Sequence, residues 1–208
     1  MIETTSPLSA IFDGLAARAH AGNAQARSFA ITSTLHGEGS TTVALGMALS
    51  LAGYDQSAVL LVDANWLRPA LSEEARRPEA AGLAEYLRGE LTLSAAVFEA
   101  ARPGLWLLPA GQLGTGLPPL GRLSTFLDEA AKRFGKIVVD LPPVLVAPGL
   151  VVPWTGVVDQ SYLVMRHAVT PVHLIRRALV ELGTDRAPQL VLNRTRGVSN
   201  GWSAHNHT

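Results

Sequence analysis

Three groups of residues have the types and spacing that phosphate chemistry needs. The first is the run Thr32-Ser-Thr-Leu-His-Gly-Glu-Gly-Ser-Thr-Thr42. Gly37 and Gly39 let a backbone turn tightly and approach an anion. A helix following them would present its first amides and the positive end of its dipole to that anion. Thr41 stands where phosphate-binding loops place a hydroxyl on Mg²⁺. The pattern G-x-x-x-x-G-K-[ST] also asks for a glycine at its start and a lysine before the hydroxyl, and this chain has Thr34 and Ser40 there. Gly37, Glu38, Gly39, Ser40, Thr41 and Thr42 are the candidate nucleotide contacts. The second and third groups are single carboxylates, Asp63 and Asp140, each closing an apolar run. In phosphoryl transfer a loop holds the phosphates, a hydroxyl and a carboxylate hold Mg²⁺, and a further carboxylate orients the nucleophile. Thr41, Asp63 and Asp140 are therefore the candidate Mg²⁺ ligands, and Asp63 and Asp140 the candidate catalytic pair. Both aspartates also suit the plainer role of helix cap or turn residue. Arg68 is read two ways, as a surface arginine or as a substitute for the charge of the missing lysine.

These groups need elements to position them. Apolar residues recur at helical spacing over 8–22, ahead of a linker at 23–27. Phe29–Thr32 reads as a strand, Thr41–Ala52 as the helix after the loop, and Ala58–Val62 as a buried strand ending at Asp63. Residues 72–80 read as loop. Gly82–Gly89 and Leu93–Ala100 read as short helices, Leu105–Gly111 as a strand with a turn, and Leu123–Phe134 as an amphipathic helix. Lys136–Asp140, a strand within Asp159–Arg166, a helix over Pro171–Gly183 and a strand at Gln189–Asn193 complete the series. Strands alternating with helices, and apolar on both faces, imply an α/β fold with a mainly parallel sheet covered on both sides. Ligands of such folds bind beyond the carboxyl ends of the strands, where the loop, Asp63 and Asp140 all fall. The expected organisation is an N-terminal helix and linker over 1–27, one domain over 28–195 and a flexible polar tail over 196–208.

Composition narrows the function classes. Seventeen basic residues balance seventeen acidic ones, which argues against a nucleic-acid surface or a polybasic membrane anchor. Without cysteine the chain forms no disulfide, in keeping with a reducing compartment. The first residues read as no signal peptide, and no apolar run reaches the roughly 18 residues of a membrane span. The longest apolar region, 142–158, is interrupted by Pro148, Gly149, Pro153 and Gly156. Trp66 and Trp154 read as packing or interface residues. His205 and His207 read as solvated rather than metal-binding.

At Asp63-Ala-Asn-Trp-Leu-Arg-Pro69 a resemblance becomes specific. The chain resembles the cytoplasmic domain of the bacterial tyrosine-kinase family of capsule and exopolysaccharide synthesis, a branch of the deviant P-loop ATPases. The family's loop, Thr-Ser-x-x-Pro-Gly-Glu-Gly-Lys-Ser-Thr, matches residues 32–42 except for its proline and lysine. Its Asp-Ala-Asp-Leu-Arg-Arg-Pro matches at Asp63, Ala64, Arg68 and Pro69, with Asn65 and Leu67 departing. Leu107–Gly111, Val138–Pro143 and Val191–Asn193 follow in order, so the similarity covers roughly residues 28–195. It implies a P-loop NTPase-like fold, ATP or ADP with Mg²⁺ as ligand, and an adenine contact at Asn193, which otherwise caps the last strand. It implies as partners the cytoplasmic part of an inner-membrane polysaccharide co-polymerase and further copies of the chain. The protein would then be cytoplasmic, held at the inner face of the plasma membrane by that partner. The departures point to impaired catalysis. Ser40 removes the lysine charge, Asn65 removes a carboxylate, and Gly201–Thr208 carries none of the tyrosines that the kinases autophosphorylate. A degenerate regulatory or structural protein and an active ATPase or tyrosine kinase with a substituted charge remain the two readings.

Overall fold

The computed structural model describes residues 7–22, 25–54, 58–114, 116–183 and 187–194. The polar tail expected over 196–208 lies outside the described residues, as do the tail histidines. A seven-stranded sheet forms the centre. Its strands are β1 (Ser28–Ser33), β2 (Val59–Asp63), β3 (Phe98–Glu99), β4 (Leu105–Leu108), β5 (Lys136–Asp140), β6 (Gln160–Arg166) and β7 (Gln189–Asn193). Their order is β3-β4-β2-β5-β1-β6-β7, and all neighbours are parallel except β3 with β4. β1, β2 and β5 are buried along their whole length. Only a strand covered on both faces can be apolar at every position, and that explains the continuous runs in the sequence.

Helices cover both faces. α1 (Pro7–Gly22) and α2 (Ser40–Tyr54) lie on one side. The core there includes Phe29, Ile31, Val43, Met47, Leu61, Val138, Tyr162 and Val164. α1 crosses α2 closely: a Cβ on Gly46 would lie 2.4 Å from the Phe12 ring. α4 (Leu83–Arg88), α6 (Leu123–Ala131), α7 (Pro148–Thr155) and α8 (Val172–Leu182) contribute to the other core, with Leu60, Val139, Leu163, Phe126 and Trp154. Trp154 is fully buried edge-on against Phe126, ring centroids 5.9 Å apart, as a packing residue should be. Trp66 is buried as well and donates its indole N–H to the Ala110 carbonyl at 2.8 Å.

Three segments differ from the sequence reading. Ala70–Glu74 form a short helix, α3, whose last three residues fall in the stretch 72–80 expected to be loop. The Leu93–Ala100 helix stops after α5 (Leu93–Ala96), and Phe98–Glu99 pairs antiparallel with β4. The proline-interrupted region 142–158 contains α7. Pro148 occupies its first turn, where no intrahelical N–H is required, and Pro153 comes just before its end.

The topology sets the site. The chain leaves β1 towards β2 on one side, and β6 lies on its other side. The carboxyl ends of β1, β2, β5 and β6 therefore surround the point where the winding reverses, the usual ligand crevice of such sheets.

Candidate functional site

The loop between β1 and α2 is shaped by its glycines. Gly37 has φ +78° and Gly39 φ +93°, values costly for any residue with a Cβ. Glu38, between them, folds its side chain inwards. One carboxylate oxygen accepts the amides of Thr34 at 2.7 Å and Leu35 at 2.9 Å, and the other accepts the Thr170 hydroxyl. Asn193, from the end of β7, donates its side-chain amide to the Glu38 carbonyl at 2.8 Å. That amide lies only 2.3 Å from where a Cβ on Gly39 would sit. The loop is thus braced from below by Glu38 and from the side by Asn193. Among the described residues no acceptor takes the amides of Gly37, Glu38 or Gly39. Together with the first amides of α2 they form a cradle suited to an anion.

This bracing makes Gly39 critical. Gly39→Ala should lower stability by about 1–3 kcal/mol through backbone strain and displacement of Asn193. Thermal unfolding checks it, and a cycle with Asn193→Ala should be non-additive because the two side chains collide.

The carboxylates come next. Asp63 and Asp140 end adjacent strands and are paired in register. The Thr41 hydroxyl, in the first turn of α2, donates to Asp140 Oδ2 at 2.7 Å. Asp140 Oδ1 is buried with no hydrogen-bond partner. Burial raises the Asp140 pKa well above its ordinary 3.8; the Thr41 bond opposes this and the Asp63 charge adds to it. Asp63 is also raised, chiefly by burial, against its hydrogen bonds from Ser72 and Asn65. Both of its oxygens are engaged. Oδ2 accepts both the Ser72 amide at 2.9 Å and the Ser72 hydroxyl at 2.7 Å, and Oδ1 accepts the Asn65 amide at 3.2 Å. The Ser72 hydroxyl in turn accepts the Ala110 amide at 3.1 Å. Asp63 therefore holds the first turn of α3.

A carboxyl whose pKa is raised on folding stabilises the protein below its unfolded value. It loses that contribution as pH climbs through the folded value. Asp140→Asn keeps an acceptor for Thr41 while removing the buried charge. It should stabilise the ligand-free protein at pH 7 by about 0.5–2 kcal/mol and flatten the decline in stability above pH 4. A lowered melting temperature at pH 7 would contradict this.

The remaining predicted residues are placed as follows. Arg68 is exposed, its backbone amide bonded to the Asn65 carbonyl at 2.9 Å and to Asn65 Oδ1 at 3.3 Å. Asn65 thus shapes the turn before α3. Ser40 is largely buried at the start of α2, and Thr42 is exposed. Lys136, at the opposite end of β5, donates to the Ala26 carbonyl at 2.7 Å and does not reach the loop. The structure therefore brings together Gly37, Glu38, Gly39, Thr41, Asp140 and Asn193, and it leaves Arg68 on the surface. Sequence reasoning missed Thr170, which binds Glu38, and Ser72, which binds Asp63. No local motif marks either residue.

A nucleotide's phosphates fit the loop's cradle, and a divalent cation fits the uncompensated Oδ1 of Asp140 beside Thr41. A second carboxylate ligand fits less well, because Asp63 is already spoken for by Ser72 and Asn65.

No protein-family model matches the chain. It is 34% identical over 129 residues to the tyrosine-protein kinase CpsD of Streptococcus agalactiae, a stretch covering 59% of this chain and 53% of that protein. It is 28% identical over 182 residues to the succinoglycan biosynthesis transport protein ExoP of Rhizobium meliloti strain 1021, covering 82% of this chain and 22% of that protein. The chain thus spans about half or less of these curated relatives. Among solved structures it resembles the VpsO kinase domain, with a TM-score of 0.78, 28% identity, and 90% of this chain and 95% of that one covered.

Proposed function

This chain is a relative of the bacterial tyrosine-kinase domains of the P-loop ATPase type, and on that premise we propose that it is a catalytically degenerate, kinase-like protein of exopolysaccharide or capsule synthesis. It binds Mg²⁺-ATP or Mg²⁺-ADP weakly and acts through protein contacts. Its partner is the cytoplasmic part of an inner-membrane polysaccharide co-polymerase, which holds it at the inner face of the membrane. The likeness to ExoP, a succinoglycan biosynthesis transport protein, supports the pathway, and that to the tyrosine-protein kinase CpsD supports the kinase-like character. Among the described residues no helix is long and apolar enough to cross a membrane, in keeping with attachment through a partner.

One observation carries the degenerate reading: the engagement of Asp63 by Ser72 and Asn65 in a chain that also has Ser40 in place of lysine. A carboxylate that braces α3 is not free to orient a nucleophile or a metal. The loop amides and Thr41 still orient a phosphate group, and Asp140 still offers one oxygen. The cation, when bound, neutralises phosphate charge. Binding thus outlasts chemistry in this site.

The alternative is an active ATPase or tyrosine kinase of the same pathway, and the uncompensated Asp140 Oδ1 beside Thr41 favours it. Affinity for the cytoplasmic part of the co-polymerase separates the two. Equal affinity for the wild type and Asp140→Ala supports a role through contacts, and a strong loss counts against it.

A further inference from the structure

β7 is the last strand of the sheet, and among the described residues no strand pairs with its outer edge. Open edges are commonly blunted by a very short strand, a charge, a proline or a bulge. The opposite edge follows that rule, because β3 is two residues long. β7 does not. Its five residues, Gln189-Leu-Val-Leu-Asn193, pair with β6 in unbroken register and include neither proline nor charge. Leu190 and Leu192 are 55% and 50% exposed.

Strand alternation fixes the face that these leucines occupy. Val191 packs into the core on the α2 side, so Leu190 and Leu192 project to the other side, where α7 and α8 lie. α7 touches both β1 and α8, so it covers the inner flank of α8 and leaves the other flank turned towards β7. Burial along α8 agrees. Ala178 and Leu182 are buried, whereas Val172, Arg176 and Val180, spaced by four, form one exposed stripe. Stripe and leucines together give the open backbone of β7 an apolar border with an arginine in its middle.

Charge selects the occupant. Residues 166–194 contain five arginines against two carboxylates, in a chain whose two signs balance overall. Arg176 and Arg177 make no ion pair among the described residues. A second copy related by a two-fold axis would set one positive surface against another. The chain's own continuation, 195–208, contains no aspartate or glutamate. An anionic lipid surface would match the charge but brings no strand to pair with the open edge.

We infer that the outer edge of β7, bordered by α8, is a docking surface for an extended segment of a partner protein in which apolar and acidic residues alternate. The segment adds a strand to the sheet. Its backbone pairs with β7, its apolar side chains meet Leu190 and Leu192, and its carboxylates meet the arginines of α8. The inference rests on the reading of this protein as one that acts through contacts, and it supplies the surface and the chemistry of the partner.

The test is fluorescence anisotropy of the full chain with a labelled peptide of five Val-Glu repeats, at low and high salt. Saturable binding that weakens with salt is expected, with none of a Val-Lys peptide or of a Val-Glu peptide N-methylated throughout. Leu190→Glu and Arg176→Glu should each weaken binding roughly tenfold, as loss of an interface anchor does. Circular dichroism confirms that both variants are folded. Equal binding of the Val-Lys peptide, unchanged binding in both variants, or capture by phosphatidylglycerol vesicles in place of the peptide would overturn the inference. If the peptide does not bind while the cytoplasmic part of the co-polymerase binds wild type and variants alike, the inference falls and the reading of a contact protein stands. If neither binds, both fall.

Discussion

Ser40→Lys should raise the affinity for Mg²⁺-ATP roughly ten- to a hundredfold, because one charge-assisted hydrogen bond to phosphate contributes about 1.5–3 kcal/mol. The position is ready for it. Ser40 opens α2 directly after Gly39, beside amides that no acceptor takes. Phosphate release should nevertheless stay at background. The lysine restores charge, but Asp63 remains bound through both oxygens to Ser72 and Asn65. The two readouts therefore part company in this one variant. Calorimetry should show the gain, and a phosphate-release assay on the same sample should show none. Brisk turnover in Ser40→Lys would mean that Asp63 leaves Ser72 easily and that the site lacks only its charge.

The second large effect concerns the core beneath the site. Trp154→Ala should cost about 3–5 kcal/mol, a large part of the roughly 5–15 kcal/mol that holds a domain together. Trp154 is fully buried on α7 and meets Phe126 edge-on, and Phe126 meets Tyr86 in turn at 5.5 Å. Removing the indole opens a cavity between α6, α7 and the sheet. Trp154→Phe should cost less than the alanine variant. The indole N–H is buried with no hydrogen-bond partner, and phenylalanine removes that unpaired donor along with part of the volume. Denaturant unfolding of both variants checks the order; equal losses would show that the ring's volume is not what matters.

Much of this fold was legible because its central strands are covered on both faces. Lys136–Asp140 is such a strand, with the bounds that its apolar run implies, while Gln189–Asn193, an edge strand and largely exposed, is bounded by its flanking turns. The loop was legible because Gly37 and Gly39 carry conformations that glycine alone adopts cheaply. What the sequence hid is non-local. α3 forms because Asp63, nine residues away, binds the Ser72 amide and hydroxyl, and no short-range pattern announces that bond. β3 exists because β4 offers Phe98–Glu99 a partner, against a helical apolar spacing. α7 was obscured by prolines that its ends tolerate. In the site, the parts contributed by single segments were readable, and the braces from Thr170 and Asn193 depend on strands that meet only in the folded sheet.

The central claim is a nucleotide cradle that has outlasted its chemistry. Titration of the purified chain with Mg²⁺-ATP and Mg²⁺-ADP by calorimetry, with phosphate release followed on the same sample, tests it most directly. Saturable binding of both nucleotides with no phosphate release above background is the result predicted. Tight Mg²⁺-ATP binding accompanied by steady phosphate release, abolished by Asp140→Ala, would contradict it.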